Sequence, residues 1–137
     1  MKKYLMEKQV AALKVWEADN FVDVRHWGRG EGKTYLGMLC AYTDGLVKGN
    51  KVLVVSGCNN TEYLFCTLDT VHKNLLGLSG NVGSIEVISS GEWLSNRWEI
   101  LMQEKVYSLF VFDEWNKKMV PITDNSIKEF GVGVVYC

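Results

Sequence analysis

A glycine-rich stretch at residues 25–34, Arg-His-Trp-Gly-Arg-Gly-Glu-Gly-Lys-Thr, contains the residues best suited to chemistry. It follows an apolar run at residues 21–24 and precedes a segment with helical periodicity. Glycines let several backbone N–H groups converge on one anion, and the N-terminus of the helix adds the positive end of its dipole. We therefore expect a phosphate-binding loop, in which the Lys33 ammonium reaches the β- and γ-phosphates and the Thr34 hydroxyl ligates Mg²⁺. The alternative is a glycine-rich turn without a ligand, because Trp27 holds the position of the first glycine in the usual spacing.

A second candidate half-site is the sequence Ser-Leu-Phe-Val-Phe-Asp-Glu at residues 108–114, an apolar strand that ends in two carboxylates. Mg²⁺ prefers oxygen ligands and keeps much of its hydration, so we expect Asp113 to hold the ion through water. Glu114 is expected to polarise the attacking water as a general base. The pair alone could also begin a solvated turn. In this order after the Gly-Lys-Thr loop, it predicts a Mg-ATP site that is capable of hydrolysis.

The elements that position these residues follow from the hydrophobic periodicity. Apolar runs predict five strands, at residues 21–26, 51–56, 85–88, 107–112 and 132–136. Helical spacing predicts helices at residues 4–18, 33–47, 64–76, 94–102 and 125–130, the fourth of them preceded by a Ser89–Glu92 capping box. Strands that alternate with helices predict one α/β domain over residues 1–137, with three layers and a mostly parallel central sheet of about five strands. Both half-sites then lie at the carboxyl edge of the sheet, where ligands bind in such folds.

Composition restricts the class of protein without naming a partner. With 137 residues, of which 47% are hydrophobic and 23% charged, the chain has the composition of an ordinary globular domain. No apolar run approaches the length of a membrane span, so a membrane partner is not expected. The net charge of −1 does not indicate a nucleic-acid partner, although a local basic patch is left open. Four cysteines without metal-ligand spacing favour reduced thiols in a cytoplasmic protein over disulfides: Cys40, Cys58, Cys66 and Cys137.

Residues 27–34 resemble the Gly-Gly-Arg-Gly-Ser-Gly-Lys-Ser/Thr loop of phage terminase large subunits, the ATPases that pump DNA into capsids. Related loops occur in helicases of superfamilies 1 and 2. Gln9, about two dozen residues before Lys33, is similar to the adenine-contacting glutamine of both groups. Residues 85–94 resemble the helicase strand and helix that precede the acidic motif.

The resemblance implies a three-layer P-loop NTPase fold of the additional-strand class, with ATP and Mg²⁺ as cofactors. It implies a sensing or finger role on the γ-phosphate for Arg29, for which a solvated loop arginine is the alternative. For Gln9 the alternative is an exposed helix residue. The implied nucleotide-contacting residues are Gln9, Gly28, Arg29, Gly30, Glu31, Gly32, Lys33, Thr34 and Tyr35.

We therefore expect a terminase- or helicase-like ATPase that is completed by oligomerisation or by a partner protein, with nucleic acid as a further partner that the charge does not reveal. A neighbouring arginine supplied in trans can raise the rate of such enzymes by several powers of ten. The alternative is a nucleotide-dependent protein-binding module with little turnover. Phosphotransfer to a small substrate is a weaker third reading, because no lid or second substrate pocket is evident in the sequence.

Overall fold

The computed structural model describes residues 5–28, 30–57, 61–74, 84–102, 107–113 and 133–137, except for the side chains of residues 97, 98 and 100–102. Helices and strands follow in the order α1 (Glu7–Asp19), β1 (Phe21–Asp23), α2 (Lys33–Tyr42), β2 (Lys51–Ser56), α3 (Glu62–Asn74), β3 (Ser84–Ile88), α4 (Ser90–Met102), β4 (Leu109–Asp113) and β5 (Gly133–Tyr136). A π-helical turn, Thr43–Val47, continues α2. The helix that we predict at residues 125–130 lies outside the described residues.

The five strands form one sheet in the order β1-β5-β4-β2-β3, and every pair of neighbours is parallel. All residues of β4 and β5 are buried, and so are all but the first residue of β2. Strands covered on both faces need apolar side chains in both directions, which explains their continuous apolar runs. The predicted α/β class and the parallel sheet of five strands are therefore confirmed.

Two apolar clusters pack against opposite faces of the sheet. One contains buried residues of α1, α2 and α3, including Trp16 and Leu36, together with Val54 of β2. The other contains Trp93 of α4, whose ring centroid lies 5.2 Å from that of Phe112 in β4. Successive strand residues point to opposite faces, so each buried strand supplies side chains to both clusters.

The first strand ends three residues earlier than the predicted residue 26. The Asp23 carboxylate accepts hydrogen bonds from the backbone N–H of Arg25, at 3.0 Å, and from its guanidinium, at 2.6 and 2.9 Å. The N–H of Val24 still bonds to the carbonyl of Tyr136 in β5 at 2.8 Å. The pairing of Asp23 with Arg25 then forms a local turn, because Asp side chains readily bond backbone groups two residues on. The glycine-rich loop therefore starts earlier than the apolar pattern indicates.

The helix predicted at residues 33–47 is α-helical only as far as Tyr42. Its last turn is wider, and the N–H of Lys48 bonds to the carbonyl of Thr43 at 3.0 Å. Gly45 in this turn lies against β3, where an added Cβ would be 2.7 Å from Cγ1 of Ile85. The close approach to β3 thus requires a residue without a side chain at this position.

The predicted N-cap of α4 is confirmed. The hydroxyl of Ser89 accepts a hydrogen bond from the backbone N–H of Glu92 at 3.2 Å. This bond satisfies one of the N–H groups that a helix start leaves without an intrahelical partner.

Over the described ranges, no helix combines the length and the apolar character that crossing a membrane requires. Cys40 and Cys137 are buried free thiols and Cys66 is an exposed one, whereas Cys58 lies outside the described residues.

Candidate functional site

The glycine-rich loop borders a cavity of about 290 Å³ at the carboxyl edge of the sheet. Among the described residues, two segments line it: the loop between β1 and α2 with the first turn of α2, and the residue that follows β5. The lining residues are Gly28, Gly30, Gly32, Lys33, Thr34, Tyr35 and Cys137. The volume is close to the lower end of the range for small-molecule sites.

Two glycines give the loop its shape. Gly30 and Gly32 have φ angles of +75° and +79°, a region that residues with a Cβ adopt only with strain. Gly32 also lies against α1, where an added Cβ would be 3.1 Å from Cδ of Gln9 and still closer to its amide nitrogen. The positive φ angles turn the backbone around the cavity, and the small residues leave the cavity open.

Helix α1 holds the loop through the Gln9 side chain. Nε2 of Gln9 donates to the carbonyl of Gly32 at 3.1 Å, and Oε1 accepts from the N–H of Met6 at 2.9 Å. Gln9 is 4% exposed, so the alternative of an exposed helix residue is wrong. Both ends of its amide bond to the protein itself, which makes Gln9 a link between α1 and the loop.

Glu31 forms a second link between the loop and α1. Its Oε2 accepts from the backbone N–H of Gly28 at 2.6 Å and pairs with Nζ of Lys8 at 2.8 Å. The hydrogen bond from Lys8, followed by that from the Gly28 N–H, lowers the pKa of Glu31. The carboxylate therefore stays ionised and closes the turn of the loop.

The cavity is bordered by positive groups, namely the ammonium of Lys33 and the backbone N–H groups at the start of α2. Lys33 is half-buried, and none of the ion pairs formed among the described residues involves it. In the part of the chain that the structure describes, no side chain caps the N-terminus of α2 at Gly32. Free backbone N–H groups at a helix start, next to an ammonium, provide an environment that favours an anion.

The structure brings Thr34 and Asp113 together, although they are 79 residues apart in the sequence. Oγ1 of Thr34 donates to Oδ1 of Asp113 at 2.9 Å, and Asp113 is fully buried at the end of β4. Mg²⁺ commonly binds to one or two carboxylates together with the phosphates of a ligand. No cluster of three or more His, Cys, Asp or Glu side chains occurs among residues with a described position. The Thr34 hydroxyl and the Asp113 carboxylate are the two groups that the sequence predicts as Mg²⁺ ligands, and they lie in contact.

Sequence reasoning missed two residues that contact Asp113. The hydroxyl of Tyr63, in the first turn of α3, donates to Oδ2, and the thiol of Cys137 lies 3.6 Å from Oδ1. Burial, and then the negative charge of Asp113, raises the pKa of Cys137 well above its usual value, so the thiol stays neutral. The strand order could have indicated them, because both residues follow parallel strands and therefore lie at the carboxyl edge of the sheet.

Tyr35, which the resemblance implies as a nucleotide contact, lines the cavity, and its hydroxyl accepts a hydrogen bond from Nδ2 of Asn74 at 2.8 Å. Trp27, which replaces the usual first glycine, lies beneath the ammonium of Lys8, with Nζ 4.9 Å from the ring centroid. Arg29 and Glu114, the predicted γ-phosphate sensor and general base, lie outside the described residues.

Comparison of this chain with protein-family models, with curated proteins and with solved structures finds no match.

Proposed function

We propose that the chain binds Mg-ATP in this cavity and hydrolyses it. The observation that supports the proposal most strongly is the 2.9 Å hydrogen bond from Thr34 to Asp113 beside a glycine-lined loop. It joins the two half-sites predicted independently from residues 25–34 and 108–114. A glycine-rich turn that binds no ligand has no need for a buried carboxylate, here that of Asp113, in contact with the Thr34 hydroxyl in the helical turn that follows the loop.

Each part of the cavity suits one part of the ligand. The N–H groups of the loop and of the first turn of α2 would bind the phosphates, together with the Lys33 ammonium. Thr34 would ligate Mg²⁺ directly and Asp113 would do so through water, which neutralises part of the phosphate charge. Glu114 is assigned as the general base and Arg29 as the group that stabilises charge on the γ-phosphate, both from the sequence.

The strand order supports an ATPase of the additional-strand class. Strand β5 lies between β1, which leads into the glycine-rich loop, and β4, which ends in Asp113. A strand inserted between these two is the feature for which that class is named. Together with the Asp113–Glu114 pair, it favours a terminase- or helicase-like motor domain that acts on a polymer such as DNA and is completed by another subunit or a partner.

Nucleotide binding is tested by the melting temperature of the purified chain with ATP in Mg²⁺ or in EDTA. Binding to the folded state alone adds about 2.7 kcal/mol of stability at a ligand concentration of 100 Kd. Lys33→Ala should lose most of the Mg-ATP shift, because the phosphates lose their main cation. Lys14→Ala, a change at an exposed position of α1, is the matched control and should keep the full shift. An unaltered shift in Lys33→Ala would contradict the phosphate site.

Turnover is tested with Glu114→Gln, which should retain the Mg-ATP shift and lose hydrolysis. Unchanged hydrolysis in this variant would refute the role assigned to Glu114. If the wild type shows the shift without turnover, the binding-module alternative replaces the hydrolase. Stimulation of the rate by DNA, and a larger solution mass with Mg-ATP, would support the motor function over both other readings.

A further inference from the structure

Tyr63 holds the side of the Asp113 carboxylate that Thr34 does not contact. Oδ1 of Asp113 accepts from Thr34, whereas Oδ2 accepts from the hydroxyl of Tyr63. Tyr63 lies 50 residues before Asp113 in the sequence and enters the site from α3. Both oxygens of a fully buried carboxylate thus have a hydroxyl donor.

The connection between β2 and α3 also holds the backbone of the same residue. The N–H of Gly57 donates to the carbonyl of Asp113 at 2.6 Å, directly after β2 ends. The carboxyl end of β4 is therefore bonded at two points, on its backbone by Gly57 of this connection and on the Asp113 side chain by Tyr63 of α3. The position of Asp113 depends on α3 as well as on the sheet.

Tyr63, like Asp113 itself, is not among the residues that line the cavity. The lining next to Asp113 comes from Thr34 and Cys137, whereas the half-buried ring of Tyr63 packs against the apolar cluster that α1, α2 and α3 share. The Tyr63 hydroxyl therefore restrains the carboxylate and leaves the ligand volume free.

We propose that Tyr63 is a positioning residue that orients Asp113 for Mg²⁺ in the nucleotide site. The terminal torsion of an Asp side chain is broad, so an unrestrained carboxylate has to be ordered when the metal binds. The hydrogen bond from Tyr63 orders it beforehand, with Oδ1 directed to Thr34. Partners that orient metal ligands in this way typically change metal affinity 10–100-fold when they are removed. This inference rests on the proposed Mg-ATP site.

The test compares Tyr63→Phe with Tyr42→Phe. Each change removes one tyrosine hydroxyl that bonds α2 or α3 to a neighbouring element; that of Tyr42 bonds Nδ1 of His72 at 2.8 Å, away from the cavity. Mg²⁺ is titrated at a fixed ATP concentration, and the melting temperature is the readout. Tyr63→Phe should raise the half-saturating Mg²⁺ concentration 10–100-fold, while ATP binding in EDTA stays the same. Tyr42→Phe should leave both quantities at their wild-type values.

The outcomes separate the two proposals. An unchanged Mg²⁺ requirement in Tyr63→Phe, with normal Mg-ATP binding in the wild type, overturns the positioning role and leaves the nucleotide site intact. A lower requirement also overturns it, because Tyr63 would then compete with the metal. A wild type without any Mg-ATP shift overturns the nucleotide site and this inference together.

A second measurement covers a Tyr63→Phe variant that does not fold. The ¹⁹F spectrum of the wild-type chain labelled with 3-fluorotyrosine, with the Tyr63 signal assigned, should change when Mg²⁺ is added to the ATP-bound chain. It should not change when Mg²⁺ is added without ATP. An unchanged ¹⁹F chemical shift of Tyr63 on formation of the Mg-ATP complex would contradict the proposal.

Discussion

Replacing Gly32 with alanine tests how α1 and the glycine-rich loop are held together. Gly32 combines a φ angle of +79° with close contact to Gln9, whereas Gly30 has a similar angle of +75° and no described atom within 4 Å of an added Cβ. The two substitutions therefore introduce the same backbone strain, and only one of them displaces a neighbour. Gly30→Ala is the matched control.

The expected change in the free energy of unfolding has two contributions, the backbone strain at a positive φ angle and the displacement of the Gln9 side chain. A left-handed conformation costs a residue with a Cβ roughly 1–2 kcal/mol. Alanine recovers about 0.4–1 kcal/mol of this cost, because it restricts the unfolded chain. Gly30→Ala should therefore lower the free energy of unfolding by about 1 kcal/mol. Gly32→Ala also breaks the bond from Gln9 and leaves a buried amide unsatisfied, which adds about 2 kcal/mol.

Urea unfolding measures the cost of the backbone strain and the cost of the lost Gln9 bond separately. It is applied to four variants: Gly30→Ala, Gly32→Ala, Gln9→Ala and the double variant Gln9→Ala with Gly32→Ala. Without the Gln9 side chain the remaining close neighbour is the flexible end of Met6, whose Cε would lie 3.2 Å from the added Cβ, so the cost of Gly32→Ala should fall close to that of Gly30→Ala. The coupling energy between Gln9 and Gly32 should be about 2 kcal/mol, within the range for residues in contact. Equal costs for Gly30→Ala and Gly32→Ala in the wild-type background would refute this account of the loop.

Three further predictions concern other parts of the chain. Ser89→Ala should lower the free energy of unfolding by about 1 kcal/mol, because the N-cap of α4 is lost, whereas Ser95→Ala at an exposed position of the same helix should change it by less than about 0.5 kcal/mol. Iodoacetamide should label Cys66 in the native chain and spare Cys137, whose burial raises its pKa; peptide mapping that finds Cys137 labelled before unfolding would contradict this. Burial, and then the hydrogen bond that its hydroxyl donates to a carboxylate, raises the pKa of Tyr107 from 10.0 to about 12. The resulting stabilisation is complete below pH 10 and is lost as the pH rises towards 12, so urea unfolding at pH 9 and pH 11 should give a larger decrease for the wild type than for Tyr107→Phe.

The sequence determined those features that depend on neighbouring residues. The apolar run Lys51–Ser56 predicts β2 with the bounds that the structure gives it, since a buried parallel strand must be apolar on both faces. Ser89 and Glu92 predict the start of α4, because a cap involves residues only three positions apart. Residue type and position after a predicted strand identify Lys33, Thr34 and Asp113 as candidate site residues. The parallel sheet then brings strand ends to one edge.

Periodicity did not determine the end of β1 or the shape of the turn after α2. The end of β1 depends on the hydrogen bonds between Asp23 and Arg25, which form a local turn where the apolar pattern would continue the strand. The shape of the turn after α2 depends on the contact of Gly45 with β3. In both places a specific contact overrides an apolar pattern that would otherwise continue the element.

Only the tertiary structure decided which distant residues meet around Asp113. The order β1-β5-β4 and the bonds from Gln9 to Gly32 and from Tyr63 to Asp113 join residues separated by 23 and 50 positions, and sequence spacing has no fixed relation to such contacts. Apolar periodicity specifies which face of an element is buried, but many pairings bury the same face. The packing of α1 and α3 against the remaining elements selects one pairing, and with it the hydroxyl and amide partners of the loop and of the buried carboxylate.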